Sequence, residues 1–308
     1  MWEKFYSKNG LAAKTIAKEL LKVKIGEKIP LITDYSKKLN IGRGTVQSAL
    51  RLLVELRAVS LEARGHLGTF LLDKDNNLLL EIAGVAPLIG SMPLPYSRKY
   101  EGLATGIVES FEDIGKRVNL IYMRGGSNRI EAVRTKRSDF AIVSKMTAEK
   151  ELSKYPNLKV FKRFGANTYV SAHKIFLANN IEKVTWKDKK IGVDMESPDQ
   201  IQLTFEEFKN KNVEFVEVNY MQLFEMLRSN QIDATVWNAD ERRMVQTFQS
   251  IEFSSQEAKN ISLDTTEAVV VINSDREQEI QEKWDSVNIK KILEIQKQVE
   301  NGERIPRY

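Results

Sequence analysis

The sequence predicts a mixed, two-part fold: a winged helix-turn-helix head, mainly α with a β-wing, followed by a two-lobed α/β body. Three observations predict it. The surplus positive charge lies in one quarter of the chain. That quarter holds two closely spaced short amphipathic helices and a hairpin. The remainder alternates short strands and helices in two successive groups.

With 308 residues, the chain has length for two or three folding units, each able to bury a core. Residues 1–75 carry 14 Lys and Arg against 8 Asp and Glu, whereas the rest carries 33 against 34. A basic segment of this kind is either a solvated face or an electrostatic footprint for phosphates. The longest apolar stretch, Leu78 to Gly90, is interrupted by Glu81 and Pro87 and is too short for a membrane span. Met1 to Tyr6 lacks the order of a secretory leader, and the absence of Cys fits a reducing compartment, so a cytoplasmic protein is expected. His66 and His173 are isolated, so no metal site is expected, and no cofactor motif is visible.

Ile16, Leu20 and Val23 recur at helical spacing and predict a first helix from Leu11 to Lys24, ended by Gly26. After Pro30, Thr33 is a candidate cap for a short second helix carrying Tyr35 and Leu39, broken at Asn40-Ile41-Gly42. Val46, Ala49, Leu50 and Leu53 then form the buried stripe of a third helix. Its opposite face bears Arg43, Gln47 and Arg51 with Thr45 and Ser48 beside them. Arg suits guanine O6 and N7, and Gln suits adenine N6 and N7, so this face fits a major groove. The helix start at Gly44 and Thr45 offers backbone N–H groups to a phosphate. An ordinary solvated helix face would look similar in isolation. Ala58 to Arg64 and Gly68 to Leu72 predict two wing strands, with Arg64 and His66 near the tip as candidates for backbone or minor-groove contact.

The segment from Ile41 to Leu72 resembles the winged helix of GntR-type regulators. It carries Thr45-Val46 at the opening of the recognition helix, Ala49-Leu50 on its buried face and Gly68-Thr69-Phe70 in the second wing strand. It departs from that pattern at Gln47, where Arg is usual, and at His66, with the expected glycine displaced to Gly65.

Beyond Leu78, candidate strands are Ile82 to Ile89, Val118 to Tyr122, Phe140 to Val143, Val160 to Phe164, Thr168 to Phe176, Lys190 to Val193, Glu214 to Val218 and Ala234 to Trp237. Helices are expected at Gly102 to Ile114, Arg129 to Thr135, Gln200 to Asn210 and Met221 to Arg228. Two phrases repeat one unit, a short helix, an Asp at a turn and a buried strand: Arg129 to Ser144 through Asp139, and Tyr220 to Trp237 through Asp233. Such units resemble the two lobes of type 2 periplasmic-binding-protein folds. Over the whole chain, the sequence is similar to the YhfZ-type regulators, which join such a head to such a body. The expected division is 1–75 for the head and 76–308 for the body, with lobe 1 at about 80–165 plus 266–308 and lobe 2 at about 166–265. The chain would cross between lobes near Phe164 to Ser171 and near Leu263 to Ala268, returning in a strand at Ala268 to Ile272.

In open α/β sheets, ligands sit beyond the carboxyl ends of strands. The polar residues expected there are Ser91, Tyr96, Ser127, Asn128, Ser144, Ser197, Gln200, Asn238 and Asp240. Trp237 is either a stacking wall or core. For each polar residue alone, helix capping is the commoner role; as a set in both lobes they predict a cleft. The functional expectation is a transcription regulator, not an enzyme. It would be a homodimer on a double-stranded DNA operator, answering to a small polar or anionic effector. The rivals are a ligand-binding or enzymatic protein of binding-protein fold whose N-terminal domain serves oligomerisation, with no catalytic pattern seen, and a body that is itself an oligomerisation or protein-partner domain with a vestigial cleft.

Overall fold

The computed structural model describes residues 7–84, 87–178 and 185–308. The reading of Met1 to Tyr6 and part of the expected strand Ile82 to Ile89 lie outside these residues. The chain forms two compact units, residues 1–87 with 115–117 and residues 88–114 with 118–308. No helix among the described residues is long and apolar enough to cross a membrane.

In the first unit, α1 (Lys8–Leu20) starts where the Ser7 hydroxyl accepts from the Gly10 N–H, earlier than the apolar spacing alone suggests. It buries Ala13, Ile16, Ala17 and Leu20. Its carbonyl end is held by Lys74, whose ammonium donates to the carbonyls of Leu21 at 2.8 Å and Val23 at 2.7 Å. Helix α2 (Ile32–Leu39) is not capped by Thr33: Leu31 is the cap residue, and the Asp34 carboxylate accepts from its N–H. Helix α3 (Arg43–Glu55) buries Val46, Ala49 and Leu53 against α1. Strands β1 (Val59–Ala63) and β2 (Thr69–Lys74) pair antiparallel, and β2 also bonds residues 26–29 on its other side. Gly68 adopts φ +99° and ψ −162°, a conformation that L side chains rarely take, so glycine suits this turn. The run after β2 is helical: α4 (Asn76–Ile82) begins where Asp75 accepts from Asn77 and Leu78, and it adds Leu79 and Ala83 to the core of this unit. The strand expected from Ile82 therefore begins only at Leu88. A short apolar run does not distinguish helix from strand, and here the Asp75 cap decides.

The second unit has two five-stranded sheets. Lobe 1 holds β3 (Leu88–Met92), β4 (Val118–Tyr122), β5 (Phe140–Ser144), β6 (Leu158–Arg163) and β12 (Ala268–Asn273), in the order β4-β3-β5-β12-β6. Lobe 2 holds β7 (His173–Leu177), β8 (Lys189–Val193), β9 (Val213–Glu217), β10 (Ala234–Asn238) and β11 (Ser250–Ile251), in the order β11-β7-β10-β8-β9. The extended stretch expected from Thr168 is strand only from His173. The helices are α5 (Arg98–Glu112), α6 (Gly126–Arg134), α7 (Lys145–Leu152), α8 (Pro198–Phe208), α9 (Tyr220–Arg228), α10 (Arg242–Thr247), α11 (Gln256–Asp264), α12 (Glu277–Trp284) and α13 (Ile289–Glu300).

The repeated phrases have a shared physical basis. Asp139 accepts from the Ile89 N–H at 2.7 Å, and Asp233 accepts from the Lys190 N–H at 2.8 Å. Each aspartate thus pins the turn before its buried strand to the start of the neighbouring parallel strand. Around these sheets, Trp284 packs edge-on to Phe111 and Phe140 in lobe 1, and α13 lies along α5. Lobe 2 closes over Ile175, Ile191, Leu203, Phe208 and Val236.

Candidate functional site

The first candidate surface is the outer face of α3. Because Val46, Ala49 and Leu53 turn inward, Arg43, Gly44, Gln47, Ser48 and Arg51 are exposed, and Thr45 is half-buried. Among the described residues, the side chains of Arg43, Gln47, Ser48 and Arg51 have no partner in the chain. At the helix start the Thr45 N–H donates to the Gly42 carbonyl, so it is not the unpaired donor the sequence suggested; the Gly44 N–H remains for an anion.

On the wing, Arg64 is paired with Glu62 at 2.5 Å and its guanidinium lies 4.6 Å from the centre of the Phe70 ring. It is held along the hairpin rather than free at its tip. His66 stands exposed on the 3₁₀ turn Gly65–Leu67. Lys28, which sequence spacing did not single out, brings its ammonium beside Gly68 because residues 26–29 pair with β2.

The second candidate site is a cleft in the second unit, enclosing a cavity of about 60 Å³. Of the residues expected there, Tyr96, Ser197, Gln200, Trp237 and Asn238 line it. The other five do not. Ser91 is wholly buried in β3, where its hydroxyl donates to the Phe140 carbonyl. Ser127 donates to Glu151, and Asn128 donates to the Arg124 carbonyl and to Glu196. Ser144 caps α7 and donates to Asp199, which does line the cavity. Asp240 accepts from the Ser171 N–H where the chain crosses between lobes. Short polar side chains at strand ends were thus drawn into structural bonds.

The walls are aromatic and charged. Tyr220 stacks on Trp237 with ring centres 5.2 Å apart, and Tyr96 lies 5.2 Å from Tyr220 and from Tyr100. Burial pushes the phenols of Tyr96 and Tyr100 upward and that of Tyr220 up to about 12, so all three are neutral hydrogen-bonding groups. Trp237 donates to Glu241, whose carboxyl burial also raises. Gln200 ties Asp194 to β10: it accepts from the Asp194 N–H at 2.7 Å and donates to the Val236 carbonyl at 2.7 Å.

The charged groups at the centre escaped the sequence reading. Arg129 is 4% exposed and donates to the carbonyls of Ile142 and Met123 and to the Tyr169 hydroxyl. Asp199 is 6% exposed and accepts from the hydroxyls of Ser144 at 2.6 Å and Thr147 at 2.8 Å, so one lobe is tied to the other across the cleft. Burial raises the carboxyls of Asp199 and Asp194. Arg124 pairs with Glu196 at 2.5 Å, a second link between lobes, and lies 3.9 Å from Asp194. The sequence signal was the phrase Arg124-Gly125-Gly126 at a strand end, with Arg129 one helical turn beyond. Among the described residues no group of His, Asp and Glu is arranged to hold a metal ion.

These features define a helix-turn-helix protein with a two-lobed body of binding-protein fold. Residues 75–308 match the family described as the YhfZ C-terminal domain, and residues 24–71 match the one described as a helix-turn-helix domain. The chain belongs to the YhfZ family. It is 30% identical over 304 residues to the YhfZ protein of Escherichia coli (strain K12), covering 99% of both chains. The crystal structure of YhfZ from Shigella flexneri superposes with a TM-score of 0.60 at 30% identity, over 76% of this chain and 98% of that one. The fold is shared with the zinc-bound ligand-binding component of an ABC-type import system from Staphylococcus aureus. That match has a TM-score of 0.51 at 12% identity, over 69% of this chain and 72% of that one. It is shared too with the substrate-binding protein of a methionine transporter from Streptococcus pneumoniae, at 0.51 and 11% identity, over 72% and 96%.

Proposed function

We propose that this chain is a cytoplasmic transcription regulator: a homodimer whose N-terminal head, from residue 1 to about 75, binds a DNA operator. The rest of the chain, from 76 to 308, binds a small polar effector in its cleft. One observation carries the reading. The outer face of α3 presents Arg43, Gln47, Ser48 and Arg51 together, exposed and unengaged, near a wing that carries His66 and has the Lys28 side chain beside its Gly68 turn. These side chains are left to solvent, and their residue types suit the reading of base edges.

A dimer would set two such helices about one DNA turn apart, and an effector that binds the closed lobes more tightly would shift operator affinity through a coupling of about 1–3 kcal/mol. The test is selection of genomic DNA by purified full-length protein at near-physiological salt, where non-specific attraction is weak. An enriched inverted repeat supports the reading. Failure to enrich any sequence, with and without metabolite extract, overturns it.

A further inference from the structure

Three polar groups in the cleft are left incompletely satisfied, and they have complementary needs. Asp199 takes two hydroxyl hydrogen bonds on one carboxylate oxygen, while the other oxygen accepts none among the described residues and no cation forms an ion pair with it. Arg129 uses three of the five N–H groups of a guanidinium; its charge is close enough to Asp199 to favour the carboxylate there, but among the described residues no direct ion pair joins it to a carboxylate. Asn238 is 2% exposed; its oxygen accepts from the Asp240 N–H, which fixes the amide orientation, and among the described residues its nitrogen has no acceptor. All three line one cavity.

We infer that the cleft is built for an α-amino acid bound as its zwitterion, the ammonium on Asp199 and the carboxylate between Arg129 and Asn238. The inference rests on reading the cleft as the effector site. A simple anion would satisfy Arg129 and Asn238 but face Asp199 unneutralised. A simple cation would satisfy Asp199 but leave Arg129 and Asn238 without an acceptor. A group carrying both charges as substituents of one carbon answers all three, and buried unpaired charges are costly enough to enforce it. Asp194 is less suited to the ammonium, because Arg124 lies within ion-pair range of it at 3.9 Å, whereas Arg129 and Lys150 act on Asp199 only from beyond that range. Burial pushes the Asp199 carboxyl up, and a bound ammonium would bring it back down.

The cavity is small, about 60 Å³, so the smallest side chains come first. The experiment is calorimetric titration of full-length protein with glycine, L-alanine and L-serine and then the other common amino acids. Each is paired with its deaminated acid and its decarboxylated amine; for alanine these are propionate and ethylamine. The expected result is that one amino acid binds at least about 100-fold more tightly than either one-charged analogue, since each leaves buried polar groups unpaired. Asp199→Asn is expected to weaken the amino acid at least about tenfold while leaving the acid analogue unchanged or improved. If the acid analogue binds within a few-fold of the amino acid, the zwitterion assignment falls. It falls equally if no amino acid binds, and a broader metabolite panel by thermal shift then decides separately whether the cleft binds any effector.

Discussion

The ring nitrogen Nδ1 of His173 lies 3.0 Å from the hydroxyl oxygen of Thr265, joining the start of β7, just past the first crossing between lobes, to the second crossing. The Thr265 hydroxyl donates to the Ser262 carbonyl, so its oxygen accepts and Nδ1 carries the proton. The two crossings themselves are bound where the Tyr169 N–H donates to Thr266 and the Ala268 N–H to the Thr168 hydroxyl. Burial lowers the His173 pKa from 6.5 to about 4, so the imidazole is neutral at neutral pH.

The sign of the pH effect follows. Above 6.5 neither folded nor unfolded His173 is charged; between 6.5 and about 4 the unfolded state takes the proton first, and stability falls. The difference amounts to about 3 kcal/mol for a fully realised shift. Melting curves from pH 7 to pH 4.5 are expected to fall more steeply for the wild-type protein than for His173→Gln. Parallel slopes for the two would show that the histidine is not held neutral.

Arg43→Ala is expected to lower affinity for a selected operator by about 1–3 kcal/mol while barely changing affinity for unrelated DNA, because a bidentate base contact is lost rather than a phosphate contact. Competition binding at fixed salt reads the ratio. An unchanged ratio places base recognition elsewhere than at this residue.

Gly106 on α5 faces α13 so closely that a Cβ would lie 2.5 Å from the carbonyl oxygen of Ile292. Gly106→Ala is therefore expected to destabilise the second unit by about 1–3 kcal/mol, despite the gain of about 1 kcal/mol in helix propensity. Urea unfolding gives the answer; a midpoint at or above that of the wild type would mean that the two helices part at no cost.

Those elements that depend on local chemistry were legible in the chain. The buried stripe Val46, Ala49 and Leu53 gave α3 and hence its outer face, and Asp139 and Asp233 marked turns that the structure ties to neighbouring strands. Helix α4 was missed because Leu78, Leu79 and Leu80 satisfy either period, and the cap at Asp75 was not weighed. In the cleft, Tyr96, Gln200, Trp237 and Asn238 were found by their place beyond strand ends, whereas Ser91 failed the same rule because its hydroxyl turns into the sheet. Arg129 and Asp199 sit inside helices, where sequence position does not tell which way a side chain points until α6 and α8 are packed.

Strand β12 lies between β5 and β6, which do not pair with each other, although it follows β6 only after the whole of lobe 2. On the ribosome, then, the sheet of lobe 1 stays open while roughly a hundred residues are added, a wait of about 5–20 s at ordinary rates of synthesis. Lobe 2, whose five strands run consecutively from β7 to β11, completes first. Released chains truncated after Asp264 should show protected amides in β7, β8 and β10 and exchanging ones in β6, so that the lobe begun first is the lobe finished last.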